Sequence, residues 1–311
     1  MGDHDLPMRI LLTGVSGSIG AALAPSLLDA GHDLRGFGRN PAGVPAGLDF
    51  VQGDAISGAG LDEALDGIDV AYFLIHSMEG DNRGTFEDHE RASAENFVTA
   101  AHRAGVRRVI YLGGLVAQDR PPSRHLRSRL EVEQILLAGL PEAVALRASI
   151  VIGARSRSFR FLVHLVERMQ ILTLPAWREH RTQPIDARDV GAFLLAAATT
   201  RQAKGGLSLD IAGPDILTYG QMIERIADLM LVRRRSLCFG RNATPVVAPI
   251  AAAIAGEDTG FIAPLMESLA GDLLPRDDRA ADLLGVRPHR FDRAVERALR
   301  EWESAEPLAA R

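Results

Sequence analysis

Cysteine is almost absent from this chain of 311 residues, in which Cys238 is the single copy. An internal disulfide is therefore excluded, and we expect a reducing compartment. Long apolar runs are also missing, because the longest, at residues 246–255, contains Pro249 and is too short to span a bilayer. Residues 1–5 are polar and acidic and lack the apolar core of a secretion signal. We expect a cytoplasmic protein without a membrane partner.

Neither sign of charge dominates the sequence. Lys and Arg total 35 and Asp and Glu total 40, which gives a net charge of −5. A general nucleic-acid binder is usually basic, so we expect no nucleic-acid partner. The chain also lacks a Gly-x-Ser-x-Gly nucleophile elbow and any cluster of His, Cys and carboxylates with metal-ligand spacing. We expect neither a serine hydrolase nor a metal site.

Strand and helix patterns alternate through the first half of the chain. Apolar strand patterns fall at residues 8–12, 33–38, 48–52, 70–75, 109–112 and 143–152. Helical patterns lie between them at 21–30, 61–65, 86–104 and 126–137. This alternation predicts an α/β fold with a doubly wound parallel sheet of the Rossmann type.

The second half alternates less cleanly. Helical patterns at 159–169, 191–199 and 219–230 and a strand pattern at 207–211 precede several prolines and apolar pieces within 241–289. We expect residues 1–152 to form the nucleotide-binding core. Residues 153–311 should form a small C-terminal cap or substrate region with elements that return to the core.

A glycine-rich turn, TGVSGSIG at residues 13–20, joins the first strand to the first helix. Gly14 permits a tight turn, Gly17 lets the backbone approach an anion, and Gly20 lets the helix pack closely on the strand. Backbone N–H groups and a helix N-terminus meet there, so the turn predicts a site for the diphosphate of a dinucleotide. Its candidate cofactor residues are Thr13, Gly14, Ser16, Gly17, Ser18, Ile19 and Gly20.

The end of the second strand bears on the choice of dinucleotide. An enzyme that prefers NAD usually has an acidic residue about 20 residues beyond the glycine turn, whereas residues 36–40 read GFGRN. Arg39 is placed to bind a 2′-phosphate, and Arg35 could assist. Arg39 could instead be a solvated loop arginine. We expect NADP(H) to be preferred, with NAD(H) as the alternative.

Further cofactor contacts are expected where the following strands end, because open α/β sheets bind ligands at that edge. Asp54 follows the third strand and could bind the adenine amino group, although it could also be an ordinary turn aspartate. His76 could face the substrate or form a structural hydrogen bond. The candidates at these strand ends are Asp54, Ala55, Leu74, Ile75, His76 and Gly113.

Several motifs resemble the atypical short-chain dehydrogenase/reductase superfamily. They include the TGxxGxxG turn, RNP at 39–41, YFLIHSM at 72–78, YLGGL at 111–115, HLRSRLEV at 125–132, TQPI at 182–185, GPD at 213–215 and PLMESL at 264–269. Together they are similar to the bacterial NAD(P)H-binding branch related to NmrA-like and triphenylmethane-reductase-like proteins. The resemblance covers nearly the whole chain and implies an NAD(P)-dependent reductase.

The chain departs from that superfamily at its catalytic positions. The usual catalytic helix carries Tyr-x-x-x-Lys, in which the tyrosine is the general acid/base. The matching positions here hold His125 and Arg129, and Gly113 or Gly114 replaces the usual serine. His125 could donate a proton close to neutrality, or it could be a surface residue on a basic helix. Arg129 could anchor the cofactor, and an electron-poor hydride acceptor could need no proton donor.

The sequence therefore predicts an NADPH-dependent reductase of a small organic substrate, with His125, Arg129 and His76 as its candidate catalytic residues. A rival is a regulator or assembly protein that binds NADP(H) without turnover; an epimerase or dehydratase fits less well without the tyrosine and lysine. The basic run at 155–160 could attract an anionic substrate or be solvated, and Trp177 could line the pocket or pack in the core. The chain could be a monomer or a homodimer.

Overall fold

The computed structural model describes residues 7–75, 86–169, 171–239, 269 and 271–306. Within these ranges it describes only the backbone of residues 171–175 and 235–239. His76, the side chain of Cys238 and most of the expected cap at 241–289 therefore lie outside the described residues.

Strands and helices alternate in chain order. The first half contains β1 (Arg9–Thr13), α1 (Ser18–Asp29), β2 (Asp33–Gly38), β3 (Asp49–Gln52), α2 (Leu61–Leu65), β4 (Val70–Phe73), α3 (Phe86–Ala104), β5 (Arg108–Gly114), α4 (Arg124–Gly139), β6 (Glu142–Ala148) and β7 (Val151–Ile152). The second half contributes α5 (Arg157–Arg168), β8 (Ile171–Pro175), β9 (Arg181–Thr182), β10 (Ile185–Asp186), α6 (Ala187–Thr199), β11 (Leu207–Ile211), β12 (Leu217–Thr218), α7 (Tyr219–Leu229), β13 (Arg235–Phe239), α8 (Arg279–Leu284) and α9 (Phe291–Ala305).

Seven of these strands form one parallel sheet in the order β3-β2-β1-β4-β5-β6-β11. This order confirms the predicted doubly wound α/β fold. The strand order reverses between β1 and β4, and open sheets of this kind leave a crevice for ligands at the carboxyl ends of the strands there. The glycine turn follows β1 at that crevice.

The side chains of β1 alternate between two cores, as a sheet covered on both faces requires. Ile10 and Leu12 are fully buried in a cluster that also holds residues of α1 and α6. Leu11 is fully buried in the opposite cluster, with residues of α2, α3 and α4. Both faces of the sheet are therefore covered by helices, and the carboxyl ends of its strands remain for a ligand.

The second half of the chain builds a cluster of its own around α5, α7 and α9, with Phe159, Ile223 and Leu299 in its centre. It also returns β11 to the main sheet beside β6. The expected single strand at 143–152 proved wrong, because β7 leaves the sheet and pairs with β10. None of the helices that the structure describes has the length and apolar character needed to cross a membrane.

Candidate functional site

The glycine turn between β1 and α1 has the backbone geometry of an anion cradle. Gly14 is in the left-handed region, with φ of 67°, and a Cβ there would lie 2.8 Å from the carbonyl oxygen of Leu74. The N–H of Gly17 donates to the Gly14 carbonyl at 2.9 Å, and Gly17 is the N-cap of α1 without a capping side chain. The first N–H groups of the helix therefore remain for a ligand.

Gly20 is required by its contact with the turn itself. A Cβ at this position would lie 2.3 Å from the carbonyl oxygen of Gly14 and 3.0 Å from the Cα of Val15. Gly20 thus lets the start of α1 approach the turn directly after β1, and α1 shares a buried cluster with that strand. Side chains at 14 or 20 would collide with backbone atoms and displace the turn, so these two glycines preserve a cradle that fits the diphosphate of a dinucleotide.

Thr13 lies beneath this cradle, where β1 ends. Its side chain is fully buried, and its Oγ1 donates to the carbonyl of Tyr72 and accepts from the N–H of Leu74, both at 2.9 Å. These two bonds tie the end of β1 to β4 beneath the turn. The Thr13 side chain therefore positions the turn, and a contact of Thr13 with a cofactor stays a prediction.

A cleft of about 380 Å³ runs along the turn. Its walls include the predicted residues Gly14, Ser16, Gly17, Ser18, Ile19, Gly20, Arg39, Asp54, Ala55, Leu74 and Ile75. The sequence reasoning missed the lining residues Phe37, Phe50, Ser93 and Leu112. The strand patterns around the two phenylalanines predicted only burial, and Ser93 belongs to α3, whose sequence carries no ligand motif.

Arg39 is exposed on the wall of this cleft. Its carbonyl accepts a hydrogen bond from Gln52 Nε2 at 2.9 Å, while its guanidinium binds none of the residues that the structure describes. Arg35 cannot assist it, which corrects the prediction. The guanidinium of Arg35 donates to Asp49 at 2.7 Å and also binds the carbonyls of Glu63, Ala64 and Asp66.

Asp54 is half-buried in the cleft, and its orientation is fixed by the turn that it forms. Its Oδ1 accepts from the N–H of Ile56 at 3.0 Å, and its own N–H donates to the carbonyl of Ala59 at 2.9 Å. Oδ2 has no hydrogen bond to a described residue. The two roles proposed from the sequence are therefore compatible, since one oxygen serves the turn and the other can accept from a ligand.

A second, larger cavity of about 740 Å³ adjoins the cleft, and Ser18, Ile19 and Leu112 line both. Gly113 lies in the wall of this second cavity rather than in the cleft, and Gly114 follows it there. A Cβ at Gly114 would come within 2.8 Å of the Leu126 side chain, so the end of β5 is closely covered by α4. Further parts of the wall come from α1, α5, α6, the link between β6 and β7, and from α7 and α9.

His125 lines the second cavity, with its ring 6.2 Å from that of Phe86. Burial and then the charge of Arg129 lower the pKa of His125 from 6.5 to about 4. The imidazole is therefore neutral at pH 7, and the prediction that it donates a proton close to neutrality is wrong. The surface alternative does not hold either, since the ring is half-buried in the cavity wall.

Arg129 is buried, with 7% of its surface exposed. Its guanidinium pairs with Glu90 at 3.4 Å, donates to the carbonyl of Leu112 at 2.9 Å and lies 5.5 Å from the centre of the Tyr111 ring. Glu90 balances the charge, and the bond to Leu112 holds the carboxyl end of β5. Arg129 thus acts on the protein itself and positions the strand end that both cavities share.

Two aromatic residues of the second half take different places. Tyr219 begins α7 and lines the second cavity; the sequence reasoning missed it, because it lies far from the usual catalytic motif. Burial raises the pKa of Tyr219 to about 12, so its phenol keeps its proton. Trp177 is buried in the core with its ring 6.1 Å from Tyr219, which agrees with the packing alternative.

The fold, the glycine cradle and the two adjoining cavities define an NAD(P)-binding protein. Its sequence matches the family model described as NAD(P)H-binding over residues 14–151. A relative in Streptomyces griseus, (4-alkanoyl-5-oxo-2,5-dihydrofuran-3-yl)methyl phosphate reductase, is 30% identical over 238 residues, which are 74% of this chain and 76% of the reductase. The chain belongs to the short-chain dehydrogenase/reductase superfamily, in its atypical NAD(P)H-binding part.

Solved structures show the same fold at low identity. A nucleoside-diphosphate-sugar epimerase from Staphylococcus aureus aligns with a TM-score of 0.76 and 17% identity, over 93% of this chain and 100% of the epimerase. A short-chain dehydrogenase/reductase superfamily protein from Agrobacterium tumefaciens with bound NAD aligns with a TM-score of 0.70 and 20% identity, over 96% of each chain.

Other relatives are matched over a shorter part of their length. NADH dehydrogenase [ubiquinone] 1 alpha subcomplex subunit 9 of Arabidopsis thaliana is 29% identical over 147 residues, which are 37% of that protein. A 3 beta-hydroxysteroid dehydrogenase/Delta 5-->4-isomerase of Mycobacterium tuberculosis is 38% identical over 124 residues, or 34% of its length. The chain thus spans about a third of these two relatives.

Proposed function

We propose that this protein is an NADPH-dependent reductase that binds a small organic acceptor in the second cavity. The observation that carries the proposal is the shared wall of Ser18, Ile19 and Leu112. A dinucleotide whose diphosphate lies in the glycine cradle would extend along the cleft to that wall and end beside the larger cavity. Bound there, the cofactor supplies the hydride, and the cavity holds the acceptor and excludes water.

Arg39 supports the choice of NADPH over NADH. It stands at the end of β2, where an enzyme that prefers NAD has a carboxylate, and no described residue occupies its guanidinium. A planar guanidinium binds a phosphate through two parallel hydrogen bonds. Asp54 would bind the adenine amino group through its remaining oxygen. NAD(H) would bind the same cradle without the Arg39 contact.

The acceptor should be electron-poor, because His125, which stands at the position of the superfamily tyrosine, is neutral near pH 7, and a neutral imidazole is a weak proton donor. His125 is neutral there and can donate only its N–H as a hydrogen bond. An acceptor with a double bond conjugated to a carbonyl can take hydride at carbon and a proton from water later. The name of the Streptomyces griseus relative describes such a conjugated ring. His76 remains a proposed pocket residue.

The proposal includes the narrower classification as NmrA-like or triphenylmethane-reductase-like, which the motifs at 72–78 and 125–132 support. With one cysteine in 311 residues, the protein would work in the reducing cytoplasm, as a monomer or a homodimer.

Exchange of Arg39 for aspartate tests the cofactor preference. We expect Arg39→Asp to weaken NADPH binding about tenfold to a hundredfold, because a hydrogen bond to a charged group contributes roughly 1.5–3 kcal/mol. NADH binding should change little. Arg287→Asp is the matched control, since Arg287 is exposed and lines neither cavity. Equal losses for both cofactors in Arg39→Asp would contradict the proposed preference.

The second candidate is an NADP(H)-binding regulator or assembly protein without turnover. The commitment of Arg129 to Glu90 and to the Leu112 carbonyl favours it, because the lysine of the usual pair binds the nicotinamide ribose. NADPH oxidation in the presence of conjugated ketones and lactones separates the two candidates. Turnover with any of them supports the reductase. Tight NADPH binding without oxidation across the series supports the binding protein.

A further inference from the structure

The second cavity is apolar over most of its wall and cationic in one region. Its apolar wall includes Ile19 and Ala22 of α1, Ala192 and Leu195 of α6, and Leu126 of α4. Its described lining also contains five arginines but a single acidic residue, Glu301. A cavity of this volume holds a ligand with the size of a typical small organic molecule.

Arg129, Arg188 and Arg297 are balanced by carboxylates. Arg129 pairs with Glu90, as described above. Asp186 is fully buried and binds Arg188 at 2.6 Å and Arg297 at 3.0 Å, and Glu301 binds Arg297 at 2.7 Å. Burial would raise the pKa of Asp186, but the hydrogen bonds from Arg188 and the charge of Arg297 outweigh it and keep that pKa low. These three arginines and three carboxylates cancel in charge.

Arg155 and Arg157 stand together at the start of α5. Arg155 directly precedes the N-cap Ser156, and Arg157 is the first residue of the helix; both are exposed and line the cavity. Arg155 has no ion-pair or hydrogen-bond partner among the described residues. The first turn of α5 contains no acidic residue, so the helix N-terminus adds to the positive potential.

We propose, on the basis of the proposed function, that the substrate is an amphipathic anion. Its phosphate or carboxylate group would bind Arg155 at the start of α5, and its apolar body would lie between α1 and α6. Charge at one end and apolar walls elsewhere select such a molecule over a neutral or cationic one, because the apolar wall gives affinity and Arg155 fixes the orientation.

Gly191 opens the apolar part of this cavity. It lies in α6 and lines the cavity, and a Cβ at this position would meet no atom within 4 Å. A Cβ at 191 would therefore point into open space, and a larger side chain would continue from it into the cavity. This gives a variant that blocks the apolar end and a second variant, Arg155→Gln, that removes the charge at the other.

Four ligands of equal chain length test the proposal: decyl phosphate, decanoate, decanol and decyltrimethylammonium. Their binding to the full chain is measured by titration calorimetry below the micelle concentrations. Saturating NADP+ keeps the alkyl phosphate out of the glycine cradle. We expect at least one anion to bind about fivefold or more tightly than decanol, and the cation to bind more weakly than decanol.

The variants then show where the anionic group and the apolar body of the ligand bind. Arg155→Gln should reduce the anion affinity about fivefold and leave decanol unchanged, whereas Arg287→Gln should change neither. Gly191→Leu should weaken all ligands that bind. Preference for decyl phosphate over decanoate would assign a phosphate ester, and equal binding would mean that either acid group is accepted. Equal binding of decanol and the anions, or an Arg155→Gln variant that binds like the wild type, would overturn the proposal.

A parallel titration with NADPH separates this inference from the proposed function. NADPH binding without a preference for anions would refute the substrate class and leave the reductase proposal standing. Absence of NADPH binding, with a preference for anions that depends on Arg155, would refute the reductase proposal instead.

Discussion

The contact between α1 and the glycine turn leads to a quantitative prediction about Gly20. In Gly20→Ala the new Cβ would lie 2.3 Å from the carbonyl oxygen and 2.9 Å from the carbonyl carbon of Gly14. Both are backbone atoms, so the helix or the turn must move. Gly191→Ala makes the same exchange in α6, where no atom lies within 4 Å of the new group apart from its chain neighbours and the backbone of its own helix.

Helix propensity alone should stabilise both variants by about 1 kcal/mol, because alanine is favoured over glycine inside a helix. Only Gly20→Ala carries the steric cost, which for overpacked sites is about 1–3 kcal/mol. The difference in unfolding free energy between the variants should therefore be about 1–3 kcal/mol. It is measured by urea denaturation of both variants and the wild type.

The same displacement should damage the cradle. Loss of one hydrogen bond from the turn to the diphosphate would weaken NADPH binding by at least about tenfold. Gly191→Ala should bind NADPH like the wild type. If Gly20→Ala were as stable as Gly191→Ala and bound NADPH normally, the close contact between helix and turn would not exist in the protein.

Two further predictions concern buried charges. Folding lowers the pKa of His125 from 6.5 to about 4. Between these two pH values the imidazole is protonated in the unfolded chain but not in the folded protein. The free energy of unfolding should therefore drop by up to about 3 kcal/mol as the pH falls through this range. His125→Gln should flatten the drop in denaturation curves recorded across that range, whereas exchange of the exposed His102 should not. Arg129→Met should lower the free energy of unfolding by about 3–5 kcal/mol, because Glu90 would remain buried without its cationic partner. The double variant with Glu90→Gln should regain part of that free energy. A cost below about 1 kcal/mol for Arg129→Met would exclude the buried pair.

The fold of the first half could be predicted because its central strands, β1, β4 and β5, are short, mainly apolar runs bounded by turn residues. The predicted helices at 61–65 and 86–104 agree residue for residue with α2 and α3. The prediction of one strand at 143–152 was wrong. The apolar pattern continues through residues 149–150, but β6 pairs with β5 whereas β7, after these residues, pairs with β10. No local pattern encodes that change.

The candidate site was predictable where a motif fixes the backbone and less so where tertiary contacts decide. The glycine-rich turn was enough to predict the position of the cleft, and Arg39 lies on the wall of that cleft. Thr13 looked like part of the motif, but its hydroxyl bonds β4, a partner 59 residues further along the chain. The pKa of His125 depends on burial and on Arg129, which sequence spacing cannot reveal.

The most direct test of the account is a fluorescence titration of the full chain with NADPH and, separately, with NADH. We expect NADPH to bind in the micromolar range and NADH to bind much more weakly, since only NADPH has the phosphate that Arg39 would bind. Binding of neither cofactor would contradict the assignment of the glycine cradle and the reductase proposal that depends on it.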